Sequence, residues 1–171
     1  MEGQAEYVGG ENDSTVREMY LRDATLTNRL IPLIQMHNFG HLRPHQVVLA
    51  YKEAESALRF IAEEYGEDKI GQMLVELRNR IDIHTVFTAL LGTDLFTLDK
   101  KWQEALHDKY EYSRQNKFNP DRYAKPITKS VSGIYEFNSD GIWSPDGKLI
   151  AYLSDRNGRP EIYLLNPQTK Q

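Results

Sequence analysis

Cysteine is absent from the 171-residue sequence, and its absence excludes several kinds of chemistry at once. Without thiols the chain has no disulfide, no thiolate nucleophile and no cysteine-bound zinc. The cysteine content does not indicate the cellular compartment, because a cysteine-free protein is stable in reducing and in oxidising surroundings alike.

Long apolar runs and basic blocks are missing as well. No segment approaches the roughly 18 consecutive apolar residues that a membrane-spanning helix requires. The net charge is −4, and Lys and Arg form no cluster, although phosphate backbones require a basic surface. Met1 is followed by Glu2, Gly3 and Gln4 rather than by the basic and apolar regions of a secretory signal. We therefore expect no membrane span and no nucleic-acid partner.

Two common catalytic signatures are also lacking. No G-x-S-x-G elbow singles out one serine as a nucleophile. No glycine-rich loop of either standard type is present to hold a phosphate. The sequence therefore carries neither the motif of an elbow-type serine hydrolase nor that of a phosphate-binding loop.

What the sequence does contain before residue 112 is helical periodicity. Apolar residues predict a helix over residues 47–65, which begins after Pro44 and is closed by Gly66. Its apolar positions are Val47, Tyr51, Ala54, Leu58, Ile61 and Tyr65.

Four further helices are predicted by the same spacing. The first runs from Ser14 to about Asp23, with Val16, Met19 and Tyr20 facing inward. The second has one face formed by Ile70, Met73, Leu74 and Leu77. The third covers residues 85–91 and stops at Gly92, and the fourth starts near Asp94 with a stripe of Leu95, Leu98, Trp102 and Leu106.

The pattern changes after the last helix. Residues 113–132 are polar, contain Pro120 and Pro126, and are predicted to be a linker. Alternation over residues 149–154 predicts a strand, joined by turns at 144–147 and 157–158 to strands on either side. We therefore expect an α+β fold with segregated parts: helices in 1–112, the linker, and a short antiparallel β-sheet in 133–171. Three such strands cannot bury both of their faces alone.

The last part of the chain carries a specific run of residues: WSPDGKLIAY at 143–152, SDR at 154–156 and EIY at 161–163. This run resembles the blade repeat of TolB-type β-propellers over residues 134–171. Propellers need several blades to close, so the resemblance implies further blades after Gln171. The alternative is a free-standing hairpin attached to a helical domain. For Asp146 and Asp155 we expect turn capping rather than calcium binding.

The first residues carry a second motif, EGQAEY at 2–7. It is similar to the E-G-x-A-x-Y segment of gluzincin (peptidase MA-like) zinc metallopeptidases, especially the bacterial peptidases often fused to TolB-type propellers. The resemblance implies that Glu2 is the third zinc ligand, that Gly3 and Ala5 take the small positions, and that Tyr7 takes the aromatic one. Residues 51–66, 68–70, 91–95 and Trp102 also resemble the helical half of these peptidases, and residues 118–120 and 123–128 resemble their link to the propeller.

The departure from that family is the missing H-E-x-x-H, which occurs nowhere in the sequence. The two histidine ligands and the general base are therefore absent, and no catalytic residue is assigned. The resemblance implies that Met1 is an internal residue of a longer parent protein. That parent would hold zinc, whereas we expect no cofactor for this chain alone. The expected partners are proteins or peptides, the remaining blades and the upstream H-E-x-x-H half, and the family suggests a periplasmic or extracellular location.

The histidines present do not replace the missing motif. His37, His41 and His45 are spaced by four residues, but Asn38 stands where a general base is required and its amide cannot accept a proton from water. Gly40 and Pro44 also interrupt any continuous helix through the three imidazoles. We expect a loop there. His84 and His107 lie on predicted helices without partners at ligand spacing.

Two functional hypotheses follow. The first is a fragment of a zinc-dependent metallopeptidase-like protein with a C-terminal propeller, inactive by itself. The alternative is a non-enzymatic module in which helices and a TolB-like propeller bind a protein or peptide.

Overall fold

The structure is a computed structural model, which describes residues 7, 14–37, 40, 42, 44–79, 82–115, 122–128 and 137–170. The chain divides into two compact units, each described here by itself. One comprises residues 1–41 and 48–116, and the other comprises residues 42–47 and 117–171.

The first unit is helical. Its elements, in chain order, are α1 (Ser14–Leu26), a short 3-10 helix (Leu33–His37), α2 (Pro44–Tyr65), α3 (Asp68–Asn79), α4 (Ile83–Leu91) and α5 (Leu95–Gln115). The first four residues of α2, 44–47, are grouped with the second unit. All five predicted α-helices are therefore present. The last one continues three residues past residue 112, while the domain limits themselves stay predictions. No helix in the described part of the chain is both long and apolar enough to cross a membrane.

Local chemistry determines where α4 begins and ends. The Asp82 carboxylate accepts hydrogen bonds from the backbone N–H groups of His84 and Thr85, both at 3.1 Å, and so caps the helix start. At the other end Gly92 has a φ of 65°, and its N–H donates to the Thr88 carbonyl. A residue without a Cβ adopts this left-handed conformation without strain. Gly92 therefore ends the helix as the sequence predicts.

Two groups of buried side chains form the core of the helical unit. The larger group consists of Ile61, Ile70, Met73, Val86, Phe87, Leu91, Leu95 and Leu98. The second consists of Leu21, Ala57, Trp102, Leu106 and Tyr110. The Trp102 indole N–H donates to the Ser56 hydroxyl at 3.1 Å, which satisfies its one polar atom. All four predicted stripe residues of α5 are buried.

The buried face of α2 differs from the predicted one. Of the predicted stripe, Ile61 is the one residue that is fully buried, whereas the others are half-buried. The fully buried positions also include Ala50, Glu53, Glu55 and Ala57. The face is therefore rotated toward two acidic side chains, whose oxygens accept hydrogen bonds from other parts of the fold.

The second unit contains an antiparallel sheet with strand order β1 (Asn138–Trp143), β2 (Ile150–Ser154) and β3 (Glu161–Leu165). The predicted turns are present: Gly147 and Gly158 have φ values of 70° and 85° and donate their N–H groups to Ser144 and Asp155 carbonyls. The expected α+β fold with segregated parts is confirmed.

The two aspartates at these turns act within the sheet unit. Asp146 accepts from the Ser144 hydroxyl at 2.7 Å and from the Lys148 N–H at 3.1 Å, which is the expected turn capping. These bonds lower the pKa of the Asp146 carboxyl, with the Ser144 hydroxyl as the largest cause. Asp155 instead accepts from the Phe137 N–H at 2.7 Å, so it stabilises the start of β1 rather than its own turn.

Candidate functional site

The predicted zinc ligand, Glu2, lies outside the described residues. Tyr7, the aromatic residue of the same EGQAEY motif, is described. It is helical and half-buried, and its side chain packs against the larger apolar group of the helical unit. The candidate functional site is therefore built around the surroundings of Tyr7.

The Tyr7 ring lies against a charged side chain of α2. The guanidinium carbon of Arg59 is 5.4 Å from the centre of the ring, within the distance of a cation–π interaction. Arg59 also donates through Nε and Nη2 to Oε1 of Glu55, at 3.1 and 3.0 Å. Arg59 thus connects the motif that contains Glu2 to the middle of α2.

Glu55 is shared by two arginines. Arg17, on α1, donates through Nη1 to the same Oε1 atom at 2.7 Å. The side chains of Arg17 and Glu55 retain 10% and 5% of their exposure, so their ion pair is almost completely removed from water. Breaking such a buried pair is costly, because the remaining charge is left without compensation. The group joins α1, α2 and Tyr7.

Two further acidic side chains hold the segment that leads into the 3-10 helix. The fully buried Glu53 accepts the Ile31 N–H with both oxygens, at 3.2 and 3.1 Å, and Asp99 accepts the Leu33 N–H at 3.1 Å. Burial raises the pKa of Glu53 well above its ordinary value, and the negative charge of Asp99 raises it further, against the opposing effect of the Ile31 bond. Glu53 and Asp99 thus accept hydrogen bonds from the backbone N–H groups of Ile31 and Leu33, which would otherwise lack the acceptor that a helix interior provides.

A third polar contact joins α1 to α5. Glu18 accepts from the Lys109 ammonium at 2.8 Å and from the Tyr110 hydroxyl at 2.9 Å. Partial burial opposes ionisation, but these two bonds lower the pKa of Glu18 overall. Burial and the neighbouring Glu18 charge raise the pKa of Tyr110. Tyr110 therefore stays protonated and acts as a donor.

The structure does not bring the histidines together on one helix. His37 ends the 3-10 helix, His45 lies in the first turn of α2, and His41 is outside the described residues. His84 is exposed in the first turn of α4, and His107 is half-buried on α5. Within the described ranges no group of three His, Asp or Glu side chains has the arrangement needed to hold a metal ion. The described residues therefore do not supply a zinc site by themselves, and the assignment of Glu2 stays a prediction.

An open apolar groove lies in the helical unit and has a volume of about 1050 Å³. Its walls come from the 3-10 helix, α2, α3, α4 and the start of α5, and include Ile34, Leu58, Met73, Leu77 and Phe87. Arg78, Asp82 and His84 are the charged or titratable side chains that line it. This volume is at the upper end of the range for small-molecule and peptide sites.

Sequence reasoning missed the buried carboxylates of α2. Periodicity treats Glu53 and Glu55 as surface residues, because isolated carboxylates are rarely buried. The available signal was the spacing of Glu55 and Arg59, which places them one helical turn apart. The contributions of Arg17 and Ile31 come from distant parts of the sequence and leave no local pattern.

Comparison with known proteins places this helical unit in a class. The family model of the Peptidase MA superfamily matches residues 1–108. No curated protein and no solved structure matches the chain. The matched range begins before the EGQAEY motif and contains every helix up to the middle of α5.

This match identifies residues 1–108 as a metallopeptidase-like domain. The chain belongs to the Peptidase MA superfamily, since the match covers more than half of its length. The peptidase-like part of the resemblance is thereby confirmed.

Proposed function

We propose that this chain belongs to a zinc-dependent metallopeptidase of the gluzincin type and that Glu2 is its third zinc ligand. The observation that carries the proposal is the family match over residues 1–108, because it includes the EGQAEY motif together with the helices that follow it. The contact between Tyr7 and Arg59 further supports it, since Tyr7, the last residue of the motif, lies against a side chain of α2.

The chain has a limited part in the chemistry. In such enzymes zinc held by two histidines and one carboxylate lowers the pKa of a bound water toward about 7. Glu2 supplies one carboxylate, and the H-E-x-x-H that would supply the histidines and the general base does not occur in these 171 residues. The proposed activity therefore belongs to a complete protein that includes this chain, and the chain alone is inactive.

Glu2→Gln in the complete protein tests the proposal directly. The amide preserves the size of the side chain but removes the negative charge that helps to hold the metal. We expect the bound zinc and the peptidase activity to be lost, while circular dichroism shows an unchanged fold. The measurements are zinc content after dialysis and turnover of a protein substrate.

Glu6→Gln is the matched control, because it makes the same change in the same motif. That variant should keep its zinc and its turnover. Near-normal zinc content and turnover in Glu2→Gln would show that Glu2 is no ligand.

The sheet unit is proposed to be the first blade of a TolB-type β-propeller. Its support is that both faces of the sheet carry apolar side chains, one set buried and the other exposed. Residues paired across the strands share a face. One face contains the buried side chains Ile150, Tyr152 and Leu165.

The opposite face of the sheet is apolar and exposed. Ile142, Leu153, Ile162 and Leu164 point to it and retain 69%, 37%, 75% and 64% of their exposure. A sheet that is apolar on both faces is built to be covered on both sides. In a propeller the next blade covers this second face.

A non-enzymatic binding module is the alternative function, and the apolar groove of the helical unit favours it. An open groove of this volume with apolar walls suits a peptide with apolar side chains. Under this alternative, Glu2→Gln leaves peptide binding unchanged and the complete protein contains no stoichiometric zinc.

A further inference from the structure

The walls of the open groove in the helical unit are apolar along most of their length. Apart from Arg78, Asp82 and His84, every described residue that lines the groove has an apolar side chain. Two of these residues, Ile34 and Leu74, still expose 52% and 43% of their surface. The groove therefore offers apolar surface that the described part of the chain leaves in contact with water.

The polar lining residues lie close together in the sequence, at the end of α3 and the start of α4. The two oxygens of Asp82 are engaged, because they accept from the N–H groups of His84 and Thr85. Arg78 is exposed and forms no hydrogen bond or ion pair with the described residues. The imidazole of His84 has no hydrogen-bond partner among them either. This end of the groove therefore presents an uncompensated guanidinium, which is suited to a carboxylate.

A chain molecule bound between such walls has to satisfy its own backbone polar groups, because N–H and C=O groups without partners are costly away from water. An extended peptide commonly pairs with the edge of a sheet, and the described part of the helical unit contains no strand. An α-helix satisfies its backbone internally, and an amphipathic helix in an open groove keeps its polar face in water.

The size of the groove is consistent with a helix. A helix with its side chains is about 10–12 Å across, so a volume of about 1050 Å³ holds roughly three to four turns that are seated to half their width. The apolar stripes of α2, α4 and α5 face the unit's own core, so a second copy of this chain has few free stripes to insert.

We propose that this groove binds an amphipathic α-helix of another protein and that an acidic side chain of that helix pairs with Arg78. The apolar stripe of the bound helix covers the walls, and its carboxylate lies at the end formed by α3 and α4. This role makes the alternative function of a binding module specific; it rests on that alternative and does not depend on zinc binding by Glu2.

The test titrates the 171-residue chain and the complete protein with three fluorescein-labelled peptides and measures dissociation constants by fluorescence anisotropy. The first peptide is about four helical turns long, with a stripe of leucines at helical spacing and a glutamate at each end of the stripe. The second has glutamine in place of both glutamates. The third has the composition of the first with two internal prolines, which prevent a continuous helix.

The glutamate peptide should bind both proteins. The glutamine peptide should bind about fivefold more weakly, because the ion pair with Arg78 is partly exposed. The proline peptide should not bind measurably. Arg78→Met should remove the difference between the glutamate and glutamine peptides, whereas Arg22→Met, the same change at an exposed residue of α1 outside the groove, should preserve it.

Leu74→Ser tests the walls, and it should weaken the glutamate and glutamine peptides alike by about tenfold. Val75→Ser is the matched control, since Val75 is the next residue of α3, exposes 61% of its surface and does not belong to the described lining. That variant should bind both peptides as the wild type does. Equal effects of the two serine variants would show that the groove is not the binding surface.

The remaining outcomes separate this proposal from the function on which it rests. Equal binding of the proline peptide overturns the helical ligand and keeps a peptide-binding module. Equal binding of the glutamine peptide, or an unchanged preference in Arg78→Met, overturns the role of Arg78. Binding to the 171-residue chain but not to the complete protein would mean that another part of that protein covers the groove, and overturns a separate partner. No binding of any peptide overturns both the proposal and the binding module.

Discussion

Glu53 and Glu55 lie two positions apart on α2, and both are buried, yet their partners differ. Glu55 accepts hydrogen bonds from two guanidinium groups, those of Arg17 and Arg59. Glu53 faces one backbone N–H and lies near the like charge of Asp99. The environment of Glu53 therefore favours its protonated form, and folding should take up a proton at this residue.

The pH dependence of stability should report on Glu53. Its pKa is raised in the folded state, so the folded protein loses stability as the pH rises above the ordinary carboxyl value of 4.5. Glu53→Gln removes this loss, because an amide does not ionise. The unfolding free energy of the wild type should therefore fall relative to that of Glu53→Gln between about pH 4.5 and 7.

Urea unfolding of both proteins across this pH range measures the difference. Glu63→Gln, an exposed residue of the same helix, is the control and should follow the wild type. Parallel pH profiles for the wild type and Glu53→Gln would contradict the raised pKa.

At the scale of elements, the C-terminal end of α4 and the start of α5 could be predicted from sequence because their signals are local. Gly92 and Asp94 each act on residues within four positions. The stripe of α5 is equally clear in the sequence, since its large side chains recur at helical spacing and all four are buried, Leu95 and Leu98 in the larger group and Trp102 and Leu106 in the second. The face of α2 could not be predicted, because Arg17 and the Ile31 N–H compensate its carboxylates from far away in the sequence.

Two glycine substitutions should change stability in opposite directions. Gly92→Ala should destabilise the helical unit by about 1 kcal/mol, because a Cβ is disfavoured at a φ of 65°. Gly71→Ala should stabilise it by about 0.5–1 kcal/mol, since Gly71 lies inside α3 with open space where the Cβ would be. Thermal unfolding of the two variants is the measurement, and equal shifts of the same sign would contradict this account.

The sheet should be less stable than the helices in the isolated chain. Its strands have five or six residues, its outer strands pair with no further strand among the described residues, and one apolar face is exposed. Hydrogen exchange should therefore show protected amides in α2 to α5 and fast exchange in β1 to β3 of the monomer. Slow exchange throughout the sheet, in a sample proven monomeric, would mean that it is a complete unit rather than one blade.

At the scale of the whole molecule, the family could be inferred from sequence whereas the site could not be completed. The order of motifs from EGQAEY to Trp102 indicated a metallopeptidase, and the family match over residues 1–108 agrees. The proposed zinc site could not be completed in the same way, because its ligands would come from separate segments and a single carboxylate identifies no geometry. The propeller is likewise a property of several blades, of which residues 134–171 would form one.

Zinc titration of the purified 171-residue chain, followed by a casein cleavage assay, tests the central claim that this chain supplies one ligand of the metal site. A catalytic zinc needs three protein ligands, so we predict neither submicromolar zinc affinity nor metal-dependent cleavage. Submicromolar binding together with zinc-dependent cleavage would contradict the account and would direct attention to His37, His41 and His45.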